Sequence, residues 1–203
     1  MSIRRPLLLP LTPVYGLALA MKRRMFHWGW LKQQRLQNPV ISVGSVSAGG
    51  AGKTPVVLML ARMLRHRGYD VRILTRGYKR SSTKVARVEP FDDAAWHGDE
   101  PVLLAQRSGV PVFVGADRYQ AGVMAEQAEP SARLVVHLLD DGFQHRRLER
   151  DVDIVLVTQE DVDDTLLPAG NLREPLAAAA EADVVVLREE EADSLRSVVA
   201  GLS

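Results

Sequence analysis

Residues 44–54, read as Gly44-Ser45-Val46-Ser47-Ala48-Gly49-Gly50-Ala51-Gly52-Lys53-Thr54, join a short apolar run (39–43) to a stretch of helical periodicity (56–67). Strand, glycine-rich loop, Lys-Thr and helix is the layout of a phosphate cradle. Backbone N–H groups can wrap an anion there because glycines let the chain turn tightly, and the helix N-terminus adds a positive dipole end. Lys53 is expected to reach the outer phosphates and the Thr54 hydroxyl to ligate Mg²⁺, with Ser47, Ala48, Gly49, Gly50, Ala51 and Gly52 forming the cradle. The strict pattern G-x-x-x-x-G-K-[ST] is not met, since Ser47 stands where its first glycine would fall, and the Gly49-Gly50 pair is expected to supply that flexibility. The competing reading is a glycine-rich turn that happens to precede a lysine.

The remaining polar residues of interest end or follow apolar runs. The segment 134–139 closes on Asp140 and Asp141, where a phosphate-loop protein places a metal-binding carboxylate; a plain Asp-Asp-Gly turn is the alternative. Gln144 and His145 follow and are expected to face the same crevice. Asp99 and Glu100 precede Pro101: transfer of phosphate to an alcohol needs a carboxylate near the acceptor hydroxyl, but two acids at this spacing could equally cap a helix. Arg118, after Gly115-Ala116-Asp117, and the adjacent pair Arg173-Glu174, within the turn-rich 167–176, are exposed ions by sequence. Either arginine can grip phosphate in bidentate fashion or simply be solvated.

These positions need a scaffold, and from residue 39 onward the rhythm is strand then helix. Strands are expected at 39–43, 70–75, 111–114, 133–139, 152–157 and 183–187, and helices at 54–67, 100–108, 117–128 and 190–200. Such alternation predicts an α/β fold of the P-loop NTPase type, a mostly parallel sheet flanked by helices, with ligands at the carboxyl ends of the strands. The long connection 76–98, with Arg76-Gly77-Tyr78, Lys79-Arg80 and Ser81-Ser82, reads as functional or mobile.

The chain has 203 residues, 46% of them hydrophobic and 25% charged, which suits one domain with a small appendage. It has no cysteine, which excludes disulfides, thiolate chemistry and cysteine-ligated zinc. The net charge of +1 hides a split: residues 1–69 hold eleven Lys/Arg and no acid, while the rest carries fifteen Lys/Arg against twenty-five acids. The basic part is expected to meet an anionic partner. Pro6–Met21 is uncharged but short for a membrane span, and prolines interrupt it. A helix after Pro13 would align Val14, Leu17, Met21, Met25, Trp28 and Leu31 on one stripe beside Lys22, Arg23, Arg24, Lys32 and Arg35. Phe26, Trp28 and Trp30 add aromatic anchors. This predicts an amphipathic membrane-interface segment over 1–36 ahead of a P-loop core over 37–203, with packing of that helix on the core as the alternative. No aromatic-plus-basic sheet motif points to nucleic acid.

Taken together, residues 47–54, 75–78, 98–101, 117–119, 140–145 and 167–176 resemble, in order, the tetraacyldisaccharide 4′-kinase family of lipid A biosynthesis. The resemblance implies transfer of the ATP γ-phosphate, with Mg²⁺, to the 4′-hydroxyl of an acylated disaccharide 1-phosphate, giving lipid IVA. It implies peripheral placement on an anionic membrane surface, the cytoplasmic face of the bacterial inner membrane. Carried over by position, Lys53 and Thr54 bind phosphate and metal, Asp99 acts as base, and Glu100, Asp140 and Asp141 form the acidic metal site. Tyr78, Arg118, His145, Arg173 and Glu174 shape the active site. Family members are longer, and their C-terminal lobe carries a histidine supporting the catalytic aspartate. The five histidines here (27, 66, 97, 137, 145) all precede that region, so the resemblance implies a truncated or divergent short form lacking the lobe. Two other functions fit parts of the pattern: a P-loop ATPase switch, and a remnant that binds nucleotide or lipid without catalysis. No guanine-reading Asn/Thr-Lys-x-Asp motif supports a GTPase.

Overall fold

A computed structural model describes residues 5–78, 80–128 and 131–202. Lys79, half of the basic Lys79-Arg80 pair, lies outside the described residues. Helix α1 (Thr12–His27) follows a 3₁₀ turn and leads to strand β1 (Val40–Ser45). Helix α2 (Lys53–His66), β2 (Asp70–Thr75), β3 (Ala86–Val88), α3 (Ala94–His97), α4 (Asp99–Ser108) and β4 (Val112–Val114) come next. The remainder is α5 (Arg118–Ala128), β5 (Val135–Asp140), β6 (Val152–Leu156), α6 (Gln159–Val162), β7 (Val184–Val186) and α7 (Ala192–Ala200).

The seven strands pair in the order β3-β4-β2-β5-β1-β6-β7. Every pairing is parallel except that of β3 with β4. Burial on both faces explains why the central strands are almost continuously apolar. Side chains alternate between faces. Val71, Ile73 and Leu138 pack with Val57 and Ala61 of α2 and Leu104 of α4. Leu74 and Leu139 pack on the opposite face with Ala121 and Ala125 of α5.

The strand–helix rhythm is as expected, with two corrections. The connection 76–98 is built rather than irregular: β3 forms the antiparallel edge of the sheet and α3 leads straight into α4. A three-residue edge strand carries too short an apolar pattern to register in sequence. Helix α1 ends at His27, with Trp28 as its cap, so Trp30 and Leu31 do not continue the helical stripe. Within α1 the stripe is real and no residue is buried: Val14 is 64%, Leu17 67% and Met21 59% exposed. No described helix is long and apolar enough to cross a membrane.

Candidate active site

The parallel strands deliver Ser45, Thr75 and Asp140 to one edge of the sheet, at the carboxyl ends of three adjacent strands. From Ser45 the chain loops through 46–52 into α2. Gly52 alone in this loop adopts a left-handed φ, +88°. The turn therefore depends on Gly52, and not on the Gly49-Gly50 pair to which the spacing pointed. No protein atom lies within 4 Å of where a side chain would begin at Gly49 or Gly50. Lys53 folds back over the loop it serves: its ammonium donates to Ser45 Oγ and to the Gly49 carbonyl, both at 3.1 Å, and stands 3.5 Å from Asp141.

The segment 165–174 braces the loop from the other side. Ala48 N–H donates to the Asn171 carbonyl at 2.8 Å, and Arg173 and Glu174 N–H both donate to Val46 O. The Arg173 guanidinium donates to the Ser47 carbonyl and, in bidentate fashion at 2.9 and 2.7 Å, to Asp141. Glu174, 3% exposed, turns away beneath α1, 3.9 Å from Arg23. The two neighbours expected to act together thus serve opposite sides of one segment.

The paired acids differ. Asp141 has φ +51°, a conformation that aspartate tolerates better than most residues. Burial works against its charge, yet Arg173 and Lys53 outweigh burial and hold its carboxyl below the usual range. Asp140, 3% exposed, accepts one hydrogen bond from Thr75 Oγ1 at 3.1 Å. Burial above all, then the neighbouring Asp141 and Glu100, push its carboxyl up to about 6. Asp140 is thus a carboxylate that is costly to ionise, set beside a threonine hydroxyl and a second acid. Thr54, Asp140, Asp141 and Glu100 offer only hard oxygen donors, the set that suits Mg²⁺. Among the described residues no three His, Asp or Glu side chains cluster as a metal cage.

Asp140 carries a stability prediction. Its folded value exceeds the ordinary 3.8, so stability falls as pH rises from about 4 to about 6 and stays reduced above. Asp140→Asn keeps an oxygen for Thr75 and removes the charge. It should raise the melting temperature of the ligand-free protein by several degrees at pH 7.5, on the order of 2–3 kcal/mol, and leave it unchanged near pH 3.5. A gain of equal size at both pH values would show that the buried charge is not the cause.

Arg118 and His145 lie within electrostatic reach of each other. Burial first, then the Arg76 charge, lowers Arg118 to about 10, so it remains a cation at neutral pH; it donates to the Ala116 carbonyl at 2.9 Å. Burial and the Arg118 charge drive His145 down to about 4, with Arg150 and Lys22 adding to the effect. His145 is therefore neutral at pH 7, and its buried Nε2 has no hydrogen-bond partner. Gln144 does not face the crevice as a ligand: its amide donates to the Ser45 carbonyl at 2.7 Å and anchors the start of the loop.

Asp99 opens α4, and its carboxylate has no hydrogen bond or ion pair among the described residues. The helix N-cap is Gly98, at φ +97°, and no side chain caps it. A side chain at Gly98 would press on the Tyr78 carbonyl at 3.2 Å, so this close approach ties Tyr78 to the start of α4. The Tyr78 ring itself is largely exposed, and Glu100 lies near enough to raise Asp140. The structure thus joins Lys53, Asp141 and Arg173 at the loop, keeps Asp140 and Arg118 within electrostatic reach of them, Glu100 within reach of Asp140 and His145 in the field of Arg118, sets Asp99 and Glu100 in the first turn of α4 with Tyr78 beside its start, and sends Glu174 under Arg23.

Sequence reasoning did not single out Thr158 or Arg188, and it named Ser45, Thr75 and Arg76 within motif stretches without giving them a role. A cavity of about 310 Å³ beside the loop is lined by Gly49, Gly50, Thr158, Asp164, Asn171 and Arg188. Arg188 reaches the Gly50 carbonyl at 3.1 Å from 138 residues away. The position of Ser45, Thr75 and Thr158 at or just past strand ends was a usable signal; nothing in the sequence marked Arg188.

Residues 4–200 match the family described as tetraacyldisaccharide-1-P 4′-kinase. Tetraacyldisaccharide 4′-kinase of Koribacter versatilis is 48% identical over 89% of this chain and 58% of its own length. That of Azoarcus sp. is 43% identical over 94% of this chain and 55% of its own length. The chain thus spans a little over half the length of these curated relatives. Among solved structures, LpxK from Aquifex aeolicus, determined in complex with ATP, superposes with a TM-score of 0.83 at 42% identity. That match covers 91% of this chain and 58% of the other.

Proposed function

The chain belongs to the tetraacyldisaccharide 4′-kinase family, and from that membership we propose that it transfers the γ-phosphate of ATP to the 4′-hydroxyl of an acylated disaccharide 1-phosphate, yielding lipid IVA. The observation that carries this reading is the junction of Lys53, Asp141 and Arg173 at the mouth of a phosphate loop, supported by Asp99 at the start of α4, which has no partner among the described residues.

In this reading the loop 47–54 holds the phosphates and the cavity beside Thr158 and Arg188 takes the nucleoside. Arrival of the triphosphate draws Lys53 off Ser45 and Gly49 and onto phosphate oxygens. Thr54, Asp140 and Glu100 would hold Mg²⁺, which neutralises phosphate charge when bound; Asp141, already matched by two cations, fixes Lys53 and Arg173. Arg118 keeps positive charge at the crevice and neutral His145 offers a hydrogen bond without added charge. The acceptor oxygen attacks the γ-phosphorus, the bond to the β–γ bridging oxygen breaks, ADP leaves, and Asp99 accepts the hydroxyl proton. The test is transfer from γ-labelled ATP to tetraacyldisaccharide 1-phosphate in mixed micelles. A labelled lipid product supports the reading; Mg-ATP hydrolysis without a labelled lipid would favour the ATPase switch.

The exposed stripe of α1 supports attachment to an anionic membrane surface, the cytoplasmic face of the bacterial inner membrane, as a peripheral protein with an interfacial segment over 1–36 and a kinase core over 37–203. The helix is fastened to the core by its other side, through Tyr15, whose hydroxyl donates to the Arg173 carbonyl at 3.1 Å, and through Arg23 with Glu181. Changing Val14, Leu17 and Met21 together to glutamine should therefore spare the fold and reduce flotation with phosphatidylglycerol liposomes severalfold. Unchanged flotation would assign the stripe no membrane role.

A further inference from the structure

A second concave site lies on the far side of the segment that braces the phosphate loop. Between α1 and the turn after β5, a cavity of about 610 Å³ is lined by Arg23, Arg24, His27, Trp28, Arg146 and Glu181. Arg23 and Arg146 both pair with Glu181, Arg146 at 2.7 Å, so two guanidinium groups share one lining carboxylate while Arg24 adds a third positive charge. Arg146 is only 17% exposed, and its buried Nε has no partner. The Arg24 guanidinium lies 5.2 Å from the centre of the Trp28 ring, which holds its plane while leaving the N–H edges free. Surplus positive charge, partly desolvated guanidinium groups and an unspent donor together describe a site short of an anion, and forked N–H groups match phosphate oxygens.

The notch is joined to the catalytic crevice at two points where successive residues face opposite ways. His145 lies in the field of Arg118 while Arg146 lines the notch. Arg173 grips Asp141 while Glu174 lies under Arg23. The apolar stripe of Val14, Leu17 and Met21 runs along the helix that forms the outer wall.

We propose that this notch binds a phosphate ester carried by a membrane lipid, through Arg24 and Arg146 with Arg23 in support. A molecule with its hydroxyl at the crevice, its phosphate in the notch and its acyl chains along α1 would use all three surfaces. Assignment of that phosphate to the acceptor's own 1-phosphate rests on the kinase reading above. The other source with the same chemistry is the headgroup of a neighbouring anionic lipid.

The test follows tryptophan fluorescence, since Trp28 lines the site. The protein is titrated in uncharged detergent micelles with tetraacyldisaccharide 1-phosphate and with its 1-hydroxyl counterpart. A parallel arm compares phosphatidylglycerol with phosphatidylcholine vesicles. Charge-assisted pairs of this kind predict a preference for the phosphorylated ligand of roughly 10- to 100-fold. Arg24→Gln combined with Arg146→Gln should bring it close to one, and the exposed single change Arg24→Gln, which leaves the Glu181 pairs in place, should reduce it part of the way. Loss of preference in the acceptor arm assigns the notch to the 1-phosphate, and loss in the vesicle arm alone assigns it to a headgroup. No preference in the wild type in either arm, or a preference that survives both variants, overturns the site. A wild type that prefers the phosphorylated acceptor yet transfers no label keeps the notch and removes the kinase reading; transfer without preference does the reverse.

Discussion

Replacing Lys53 by alanine should abolish phosphoryl transfer, by about a thousandfold or more, and with it the thermal stabilisation that Mg-ATP confers. Lys53 is the cation at the helix entrance, and it stands within reach of Ser45, Gly49 and Asp141 at once. An arriving triphosphate brings several negative charges to the loop, and Lys53 is the cation that can swing onto them while Arg173 stays paired with Asp141. The ligand-free fold should survive, because Asp141 keeps its bidentate pair with Arg173 and the loop keeps its bonds to Asn171 and Arg173. Unfolding curves without nucleotide should therefore overlay those of the wild type, while curves with Mg-ATP should not shift. Retained transfer would refute the phosphate-loop assignment.

Asp99→Ala should cost 10²- to 10⁴-fold in transfer, the usual range for a positioned general base, and leave the Mg-ATP stabilisation intact. Two readings of this acid competed in the sequence, proton acceptor and helix cap. The geometry speaks against the cap alone, because Gly98 is the N-cap and among the described residues the Asp99 carboxylate engages no backbone N–H. Its helix-dipole contribution is about 0.3–1 kcal/mol, too little to alter folding at assay temperature. Asp99→Asn is the decisive companion. It retains size and polarity but cannot take a proton, so it should be as inactive as alanine. An active asparagine variant would make Asp99 a positioning or capping group and move the base elsewhere.

The sequence was most legible where backbone needs dictate residue type. Parallel strands buried on both faces favour mostly apolar runs, so β1, β2, β5 and β6 stand out despite Ser42, Arg72, His137 and Asp153 within them. A phosphate loop needs small residues before Lys-Thr, so 44–54 stands out. Legibility fell where a side chain's partner is remote in the chain. Nothing near Arg173 in sequence announces that it will hold Ser47 and Asp141, 126 and 32 residues away. Nothing distinguishes Asp140 from Asp141, although one is left buried with a single hydroxyl donor and the other is matched by two cations. Gly49-Gly50 looked like the source of the turn, yet a left-handed φ falls only on Gly52, because that dihedral is imposed where the loop must enter α2.

The sequence by itself determined the α/β class, the identity of the phosphate loop and which end of the sheet holds the site. These follow from local periodicity and from the fixed direction of parallel strands. Only the tertiary structure decided how the charges are divided: Asp141 bound to Arg173 and Lys53, Asp140 left buried and costly to ionise, Glu174 turned from the crevice toward Arg23, and His145 kept neutral beside Arg118. Charge and protonation depend on burial and on distances between residues far apart in the chain, and those exist only once the strands have paired and the loops have closed over their ends.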